Sequence, residues 1–320
     1  LSACERHSIP QDTFNPAGPV ARKQESLYWL VFWIAVGVFV LVEALLVIAV
    51  VRFRHRPGRG MPKQVHGHPA LELTWTVIPA VILAAIAFPT VGTIFELANR
   101  APAGSLNVRV VGHQWWWEVE YPGLKVETAN EIHIPVNRPI YFAITSNDVI
   151  HSFWIPRLAG KQDLEPGRTN HLTLEADTPG QYLGQCAEYC GLSHANMRLR
   201  VIAQTQADFD AWVAQQGRPA PAPPPATLQI LQSHGCAGCH ALNGVEGFAP
   251  SAIGQTMIGP DLTHFGARTT FAGSTFANTE VNLSNWLKNP PGVKPGADMP
   301  NLGLTQDEIS ALVAYLRSLR

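Results

Sequence analysis

The stretch CAEYCGLSHANM, Cys186 to Met197, decides how the middle of this chain is to be read. Cys186 and Cys190 are four residues apart, His194 follows four later and Met197 three after that. Thiolate, imidazole and thioether together form the ligand set that soft copper selects. A Cys-x3-Cys pair could be a disulfide, but a disulfide explains neither the histidine nor the methionine. Zinc fits no better, because methionine is a poor zinc ligand and structural zinc sites favour Cys-x2-Cys.

Around this stretch, residues 105–205 break into short alternating segments: LNVRVVG, WWWEVEY, EIHIPV, IYFAITS, NHLTLEA, QYLGQC and MRLRVIA. Pro, Gly and Asn bound them, which predicts an all-β antiparallel sandwich or barrel. A sandwich whose last two strands are joined by a Cys…His…Met loop has the geometry of cupredoxins, whose remaining histidine comes from an earlier strand end. His151 in NDVIHSFWIP, directly after an alternating strand, is the candidate. Two cysteines in place of one let the site hold two coppers bridged by two thiolates. One electron's charge then spreads over both metals, and little reorganisation accompanies each transfer.

Upstream lie two apolar runs. Leu27–Val51 is interrupted only by Glu43, and Leu73–Phe95 carries no charge. At about 1.5 Å per residue each can cross roughly 30 Å of hydrocarbon. Residues 27–97 are therefore expected to be a transmembrane helical hairpin. Its loop, 52–72, holds Arg52, Arg54, Arg56, Arg59 and Lys63 with no acid before Glu72, and is cytoplasmic by the positive-inside rule. The tail 1–26 and everything after the second span then lie outside, on the periplasmic side of a bacterial plasma membrane. Glu43, mid-span, is expected to face protein, since an ionisable group at that depth is costly. The chain opens on LSAC rather than Met, which suggests that an upstream signal was removed. LSAC resembles a bacterial lipobox that would lipidate Cys4, although such processing leaves cysteine first and here three residues precede it. The alternative is a lone thiol of no consequence.

Downstream, GRPAPAPPPA (217–226) predicts a semi-rigid Pro/Ala linker. Residues 227–320 read as short helices around Gly/Pro-rich loops, closed by an amphipathic helix with Thr305 as N-cap and Glu308 completing a capping box. Within them Cys236-Ala-Gly-Cys239-His240 is the c-type haem attachment signature, two thioethers and a proximal imidazole. A redox Cys-x-x-Cys would expect a βαβ context, which the pattern does not show. Met299 in KPGADMPNLG resembles the axial methionine of class I cytochromes c, with Met257 in TMIGPDLT as competitor. A Met/His pair raises the haem potential and fills both axial positions, which argues against oxygen binding there. His113, His133, His171, His234 and His264 are read as sheet, loop or surface residues rather than ligands. Charged residues are only 15% of the chain and net charge is −1, so nothing suggests nucleic acid.

The copper segments, the spans, AGKQDLEPGR (159–168), LELTWTVIPA (71–80) and the C-x-x-C-H domain together resemble subunit II of the CuA-type haem–copper cytochrome c oxidases, with a cytochrome c domain fused behind it. The resemblance implies a CuA centre held by His151, Cys186, Cys190, His194, Met197 and the backbone carbonyl of Glu188. It also implies a magnesium at the interface with subunit I facing the Glu188 carboxylate, and Glu72 at the cytoplasmic mouth of a proton channel. GHQWWWEVEYP (112–122) is similar to the aromatic segment through which electrons enter, with Trp115 above the copper and Trp116 where the family usually has tyrosine. The implied function is electron transfer from cytochrome c, or from an upstream quinol-oxidising complex, through haem c and CuA to subunit I. There oxygen is reduced to water with proton pumping, so no residue of this chain meets oxygen. Rival readings are a copper-delivery or thiol-redox protein, a nitric oxide reductase subunit and a quinol oxidase subunit; the full ligand set disfavours the first and last.

Overall fold

The structure, a computed structural model, describes residues 10–320 apart from 55, 59, 62–63 and 99–100. Cys4 therefore lies outside the described residues, as do Arg59 and Lys63. The chain divides into two units, Arg22–Ala98 and the remainder.

In the first unit, α1 (Pro19–Phe53) and α2 (Pro69–Leu97) are 35 and 29 residues long, and both are long and apolar enough to cross a membrane. They overrun the expected spans at both ends. Proline at the first position of each helix suits its fixed φ and missing N–H. At the start of α2 the His68 ring accepts from Leu71 N, and the Glu72 carboxylate accepts from His68 N at 3.1 Å. This is a reciprocal cap of the capping-box kind with histidine in the first role. Thr74, Thr76, Thr90 and Thr93 each donate their hydroxyl to the carbonyl four residues back. Their polar atoms are thus satisfied without water, as a lipid-facing helix requires.

The second unit opens with a sandwich of two five-stranded sheets. One runs β3 (Val126–Ala129), β2 (Trp116–Tyr121), β1 (Leu106–His113), β5 (Ile140–Ser146), β8 (Asn170–Leu174). The other runs β4 (Glu131–Pro135), β10 (Arg198–Gln204), β9 (Gly180–Cys186), β6 (His151–Trp154), β7 (Gln162–Leu164). β1 pairs parallel with β5, and β10 parallel with β4; the other pairs are antiparallel. Period-two alternation builds the core. On β5, Ile140, Phe142 and Ile144 are fully buried while the residues between are half-buried. Each such side chain contributes roughly 1.5–3 kcal/mol of apolar burial. Trp117, Tyr121 and Phe153 complete this interior with Ile132 and Ile134. His151, read as following a strand, is instead the first residue of β6.

β3, β6, β7, the helix after β10 and a small hairpin in the C-terminal domain are among the elements that lack a sequence forecast. β3 and β7 are only four and three residues long. α3 (Gln206–Gln216), capped by Thr205, packs Phe209 and Trp212 against Tyr121. The segment read as a spacer is docked. Ala220 is buried with its N–H on Asn243 O, and the Tyr315 hydroxyl donates to Pro221 O. The C-terminal domain holds α4 (Pro225–Ser233), a small hairpin of β11 (Thr270–Phe271) and β12 (Phe276–Ala277), α5 (Glu280–Lys288), α6 (Pro290–Val293) and α7 (Gln306–Ser318). The Thr305–Glu308 capping box is present as expected, and α7 buries Ile309, Leu312, Val313 and Leu316.

Candidate functional site

The β9–β10 loop and the start of β6 bring the six predicted donors together. Cys186 Sγ lies 3.8 Å from Cys190 Sγ, 3.9 Å from His151 Nδ1 and 3.2 Å from the Glu188 carbonyl oxygen. Cys190 Sγ lies 3.6 Å from His194 Nδ1 and 3.9 Å from Met197 Sδ. The donor atoms of His151, Cys186 and Cys190 all fall within 4.8 Å of one another, and all three residues are buried. Antiparallel pairing places Cys186 beside Phe153 of β6, which carries His151 to the same end of the sheet. Cys186 N–H on Met197 O closes the loop.

The two thiols are within hydrogen-bond reach of each other and compete for ionisation. The hydrogen bond from Cys190 holds the Cys186 thiol down to about 3, and the same bond pushes Cys190 up. A buried pair of thiols that cannot both ionise is frustrated as a pair of acids. Two soft cations replacing the thiol protons remove the conflict, so the donor set fits a dinuclear copper centre.

One supporting residue was absent from the sequence reading. Asp148 Oδ1 accepts from His151 Nε2 at 2.7 Å and from Val149 N at 2.6 Å, and its Oδ2 accepts from Gln114 N at 2.6 Å. It fixes the ring so that Nδ1 faces the thiols, the carboxylate–histidine arrangement common around metals. A carboxylate three positions before a candidate ligand was its only signal. Glu188, whose carboxylate was expected to face magnesium, is exposed.

A second centre lies in the C-terminal domain. A cavity of about 320 Å³ is lined by Cys236, Cys239, His240, Met299, Trp286 and, from the sandwich, Trp115. The His240 Nδ1–H donates to Pro260 O at 2.8 Å, which leaves Nε2 as the lone-pair atom. Burial lowers the pKa of His240, keeping the ring neutral as a ligand must be. Met299 Sδ accepts from the Trp286 indole at 3.2 Å. Met257 does not line the cavity; its N–H donates to Glu118 instead. Thiols, neutral imidazole and thioether around one apolar space suit a c-type haem.

The two centres meet at Trp115. Its indole N–H donates to Cys190 O at 3.0 Å, and the Gln114 amide donates to the same oxygen at 2.7 Å. A Cβ on Gly191 would sit 3.0 Å from the ring, and one on Gly296 only 2.6 Å from it. The indole is therefore clasped between a glycine of the copper loop and a glycine of the Met299 loop, and is 8% exposed. Elsewhere between the two domains, carboxylates of the sandwich accept from the C-terminal domain. Glu131 takes the N–H and hydroxyl of both Thr269 and Thr270 at 2.5–3.1 Å. Glu120 accepts from Gly254 N, and Glu118 from Met257 N. Burial, with Glu118, Asp261 and Glu120 nearby, raises the Glu127 carboxyl to about 8. The histidines read as non-ligands make other contacts: His113 stacks on Trp116, His133 on Trp212 and His171 on Tyr141, while His234 pairs with Glu308 and His264 with Gln216 O. The buried Nδ1 of His171 and of His264 has no hydrogen-bond partner among the described residues.

Comparison with known proteins agrees. Residues 11–92 match the family described as cytochrome c oxidase subunit II, transmembrane domain; 123–204 match its periplasmic domain; 228–320 match cytochrome c. Cytochrome c oxidase subunit 2 of Alkalihalophilus pseudofirmus is 38% identical over 319 residues, 96% of this chain and 90% of that protein. The subunit 2 of Bacillus sp. strain PS3 is 38% identical over the whole of this chain and 94% of its own. Quinol oxidase subunit 2 of Bacillus spizizenii is 35% identical, over 69% of this chain and 70% of its own. A crystal structure of the periplasmic domain of subunit II of the Bradyrhizobium japonicum cytochrome oxidase, 32% identical, covers 37% of this chain and 96% of its own with a TM-score of 0.36. Copper and haem binding on a membrane anchor follow from these families, as does a place in an oxidoreductase of the haem–copper type. The chain belongs to the cytochrome c oxidase subunit 2 family and carries a cytochrome c domain at its C-terminal end.

Proposed function

We propose that this subunit is a fixed two-station electron relay within one chain. Bound haem c and CuA supply the one-electron chemistry. Cys236 and Cys239 would hold the haem by thioethers, and His240 and Met299 would supply its imidazole and thioether ligands. His151, Cys186, the Glu188 carbonyl, Cys190, His194 and Met197 hold the two coppers. With both groups bound, electrons from a cytochrome c or a quinol-oxidising complex would reach subunit I through this chain, with Trp115, and Trp116 beside it, forming the protein bridge between the two sites. Oxygen is reduced to water at the haem–copper centre of subunit I, coupled to proton pumping.

The single observation that carries this reading is the seat of Trp115. One side chain lines the haem cavity and donates to the carbonyl of a copper-binding cysteine. Glycine on both faces allows backbone-close contact with each loop. The exposed Glu188 carboxylate supports a magnesium at the subunit I interface. Glu72, at the capped start of α2, supports a role at the mouth of a proton channel on the cytoplasmic side. The arginines between the helices support copper and haem domains outside a bacterial plasma membrane, on two spans.

The test uses the oxidase purified in mild detergent with its subunits identified. Rapid one-electron reduction of haem c is expected to be followed by its reoxidation in step with bleaching of the near-infrared copper band. The complex is also expected to consume oxygen with reduced cytochrome c. Haem c that stays reduced while the copper band is unchanged would overturn the relay.

A further inference from the structure

Lys294 is an unusual cation. It is 3% exposed, and among the described residues it forms no ion pair with a carboxylate. A buried ammonium without a partner anion is costly, so its position calls for a compensating role. Its Nζ donates to two main-chain carbonyls, Trp115 O at 2.6 Å and Ala272 O at 2.8 Å. Ala272 lies in the β11–β12 turn of the haem domain, whereas Trp115 belongs to the copper domain. One side chain thus ties the Met299 loop to the hairpin and to the residue that bridges the two centres.

The neighbours of Lys294 grip the same place. The Ser193 hydroxyl, from the copper loop, donates to Pro295 O. Gly296 lies against the Trp115 ring, closer than any Cβ would allow. Gly273, at φ +72°, faces the ammonium, and a Cβ there would come 2.7 Å from Nζ and 2.7 Å from Trp115 O. Three consecutive residues therefore hold the main chain of Trp115, the copper loop and the face of the indole.

We propose that Lys294 is a positioning residue for electron transfer between the two centres, acting through Trp115 by anchoring its main-chain carbonyl so that the indole stays clasped between Gly191 and Gly296. A lysine suits the task because its head supplies several donors from a flexible stem, and both acceptors are neutral carbonyls. The proposal rests on the relay described above, and its test separates the two. An ammonium that acted only as a nearby charge would shift the copper midpoint potential. A positioning residue changes the rate at fixed potentials.

The experiment compares the complete oxidase with its Lys294→Met form, which keeps the stem and removes the donors. The readouts are the haem c-to-CuA rate after rapid one-electron reduction, both midpoint potentials, and hydroxyl-radical labelling of Trp115 and Trp116. Lys294→Met is expected to slow the transfer about tenfold or more, as small misplacements do. Both potentials should stay at the wild-type values and labelling of Trp115 should rise. An unchanged rate overturns the proposal, and so does a slower rate fully explained by a shifted potential. Absence of transfer in the wild type overturns the relay itself. If Lys294→Met takes up no haem, Ser193→Ala gives the decision through the adjacent contact: slower transfer with intact spectra supports the positioning role, and an unchanged rate overturns it.

Discussion

Replacing Asp148 by asparagine isolates what this carboxylate does for the copper site. Asp148 accepts from His151 Nε2, Val149 N and Gln114 N at 2.6–2.7 Å, using both oxygens. Asparagine has the same shape but only one oxygen. With that oxygen toward His151 and Val149, its NH2 meets the Gln114 N–H donor to donor. The bond to the His151 ring falls from charge-assisted, about 1.5–3 kcal/mol, to neutral, about 1 kcal/mol. The Gln114 N–H loses its acceptor, a loss softened because the Asp148 side chain is 28% exposed and water can reach it. The sum is about 2 kcal/mol, or roughly thirtyfold in the copper dissociation constant. That lies within the ~10–100-fold typical of lost outer-shell partners. Chelator competition on the assembled oxidase, followed at the near-infrared band, measures it directly, with the haem c spectrum as internal control. Copper affinity within about twofold of wild type would show that His151 needs no such support, and the reasoning would fail.

Other expectations follow from the interface and its charges. Gly296→Ala places a methyl 2.6 Å from the Trp115 ring at a backbone φ of +82°, where about 3.5–4 Å is the comfortable separation. Haem c-to-CuA transfer should slow while both cofactors still load, and equal rates would contradict the clasped indole. Internal transfer should be nearly independent of ionic strength, changing less than about twofold between ~50 and ~500 mM salt, because the contacts are buried and screening is weak there. The haem domain is also nearly neutral, with five basic residues (Arg268, Lys288, Lys294, Arg317, Arg320) against six acidic. A steep fall of the rate in flow-flash measurements would count against a docked pair. Burial lowers Lys294 from 10.5 to about 7 in the docked protein, so the folded state binds fewer protons than the unfolded one between these values. Its contribution to stability rises with pH across about 7 to 10. Glu127, raised from 4.5 to about 8, acts in the opposite sense, its contribution falling as pH rises from about 5 to 8. The difference in melting temperature between wild type and Lys294→Met, followed against pH, isolates the lysine, and a flat difference would refute it.

Much of the copper centre was legible because its chemistry is local in sequence. Four of the proposed ligand side chains fall within twelve residues, and of the proposed side-chain ligands only His151 is remote. The core strands were legible where one face is buried and the other half-exposed, as on β5. β6 escaped notice because His151, Ser152 and Phe153 are all buried and show no alternation. The interface between copper and haem domains was hidden for a related reason. Glu118 and Glu120 occupy the polar phase of an alternating strand, which reads as a solvated face. Here that face is covered, and both residues are fully buried. Lys294 gave no sign either, since a lysine in a Pro/Gly loop ordinarily reaches water. Residues whose partners belong to another domain carry no periodic signature of their own.

Glu118, Glu120 and Glu131 belong to the same sandwich as the copper loop, and each takes a donor from the haem domain. Cut the chain after α3 and those carboxylates lose these donors, while Trp115 loses the cover of Gly296. Such a surface, acidic and with a tryptophan laid open, is what a small basic redox protein would seek out over a distance. The intact chain keeps it occupied. On the relay proposed above, choice of donor moves from the copper domain to the outer face of the haem domain. A soluble protein competing for electrons at this enzyme would have to be matched to that second surface.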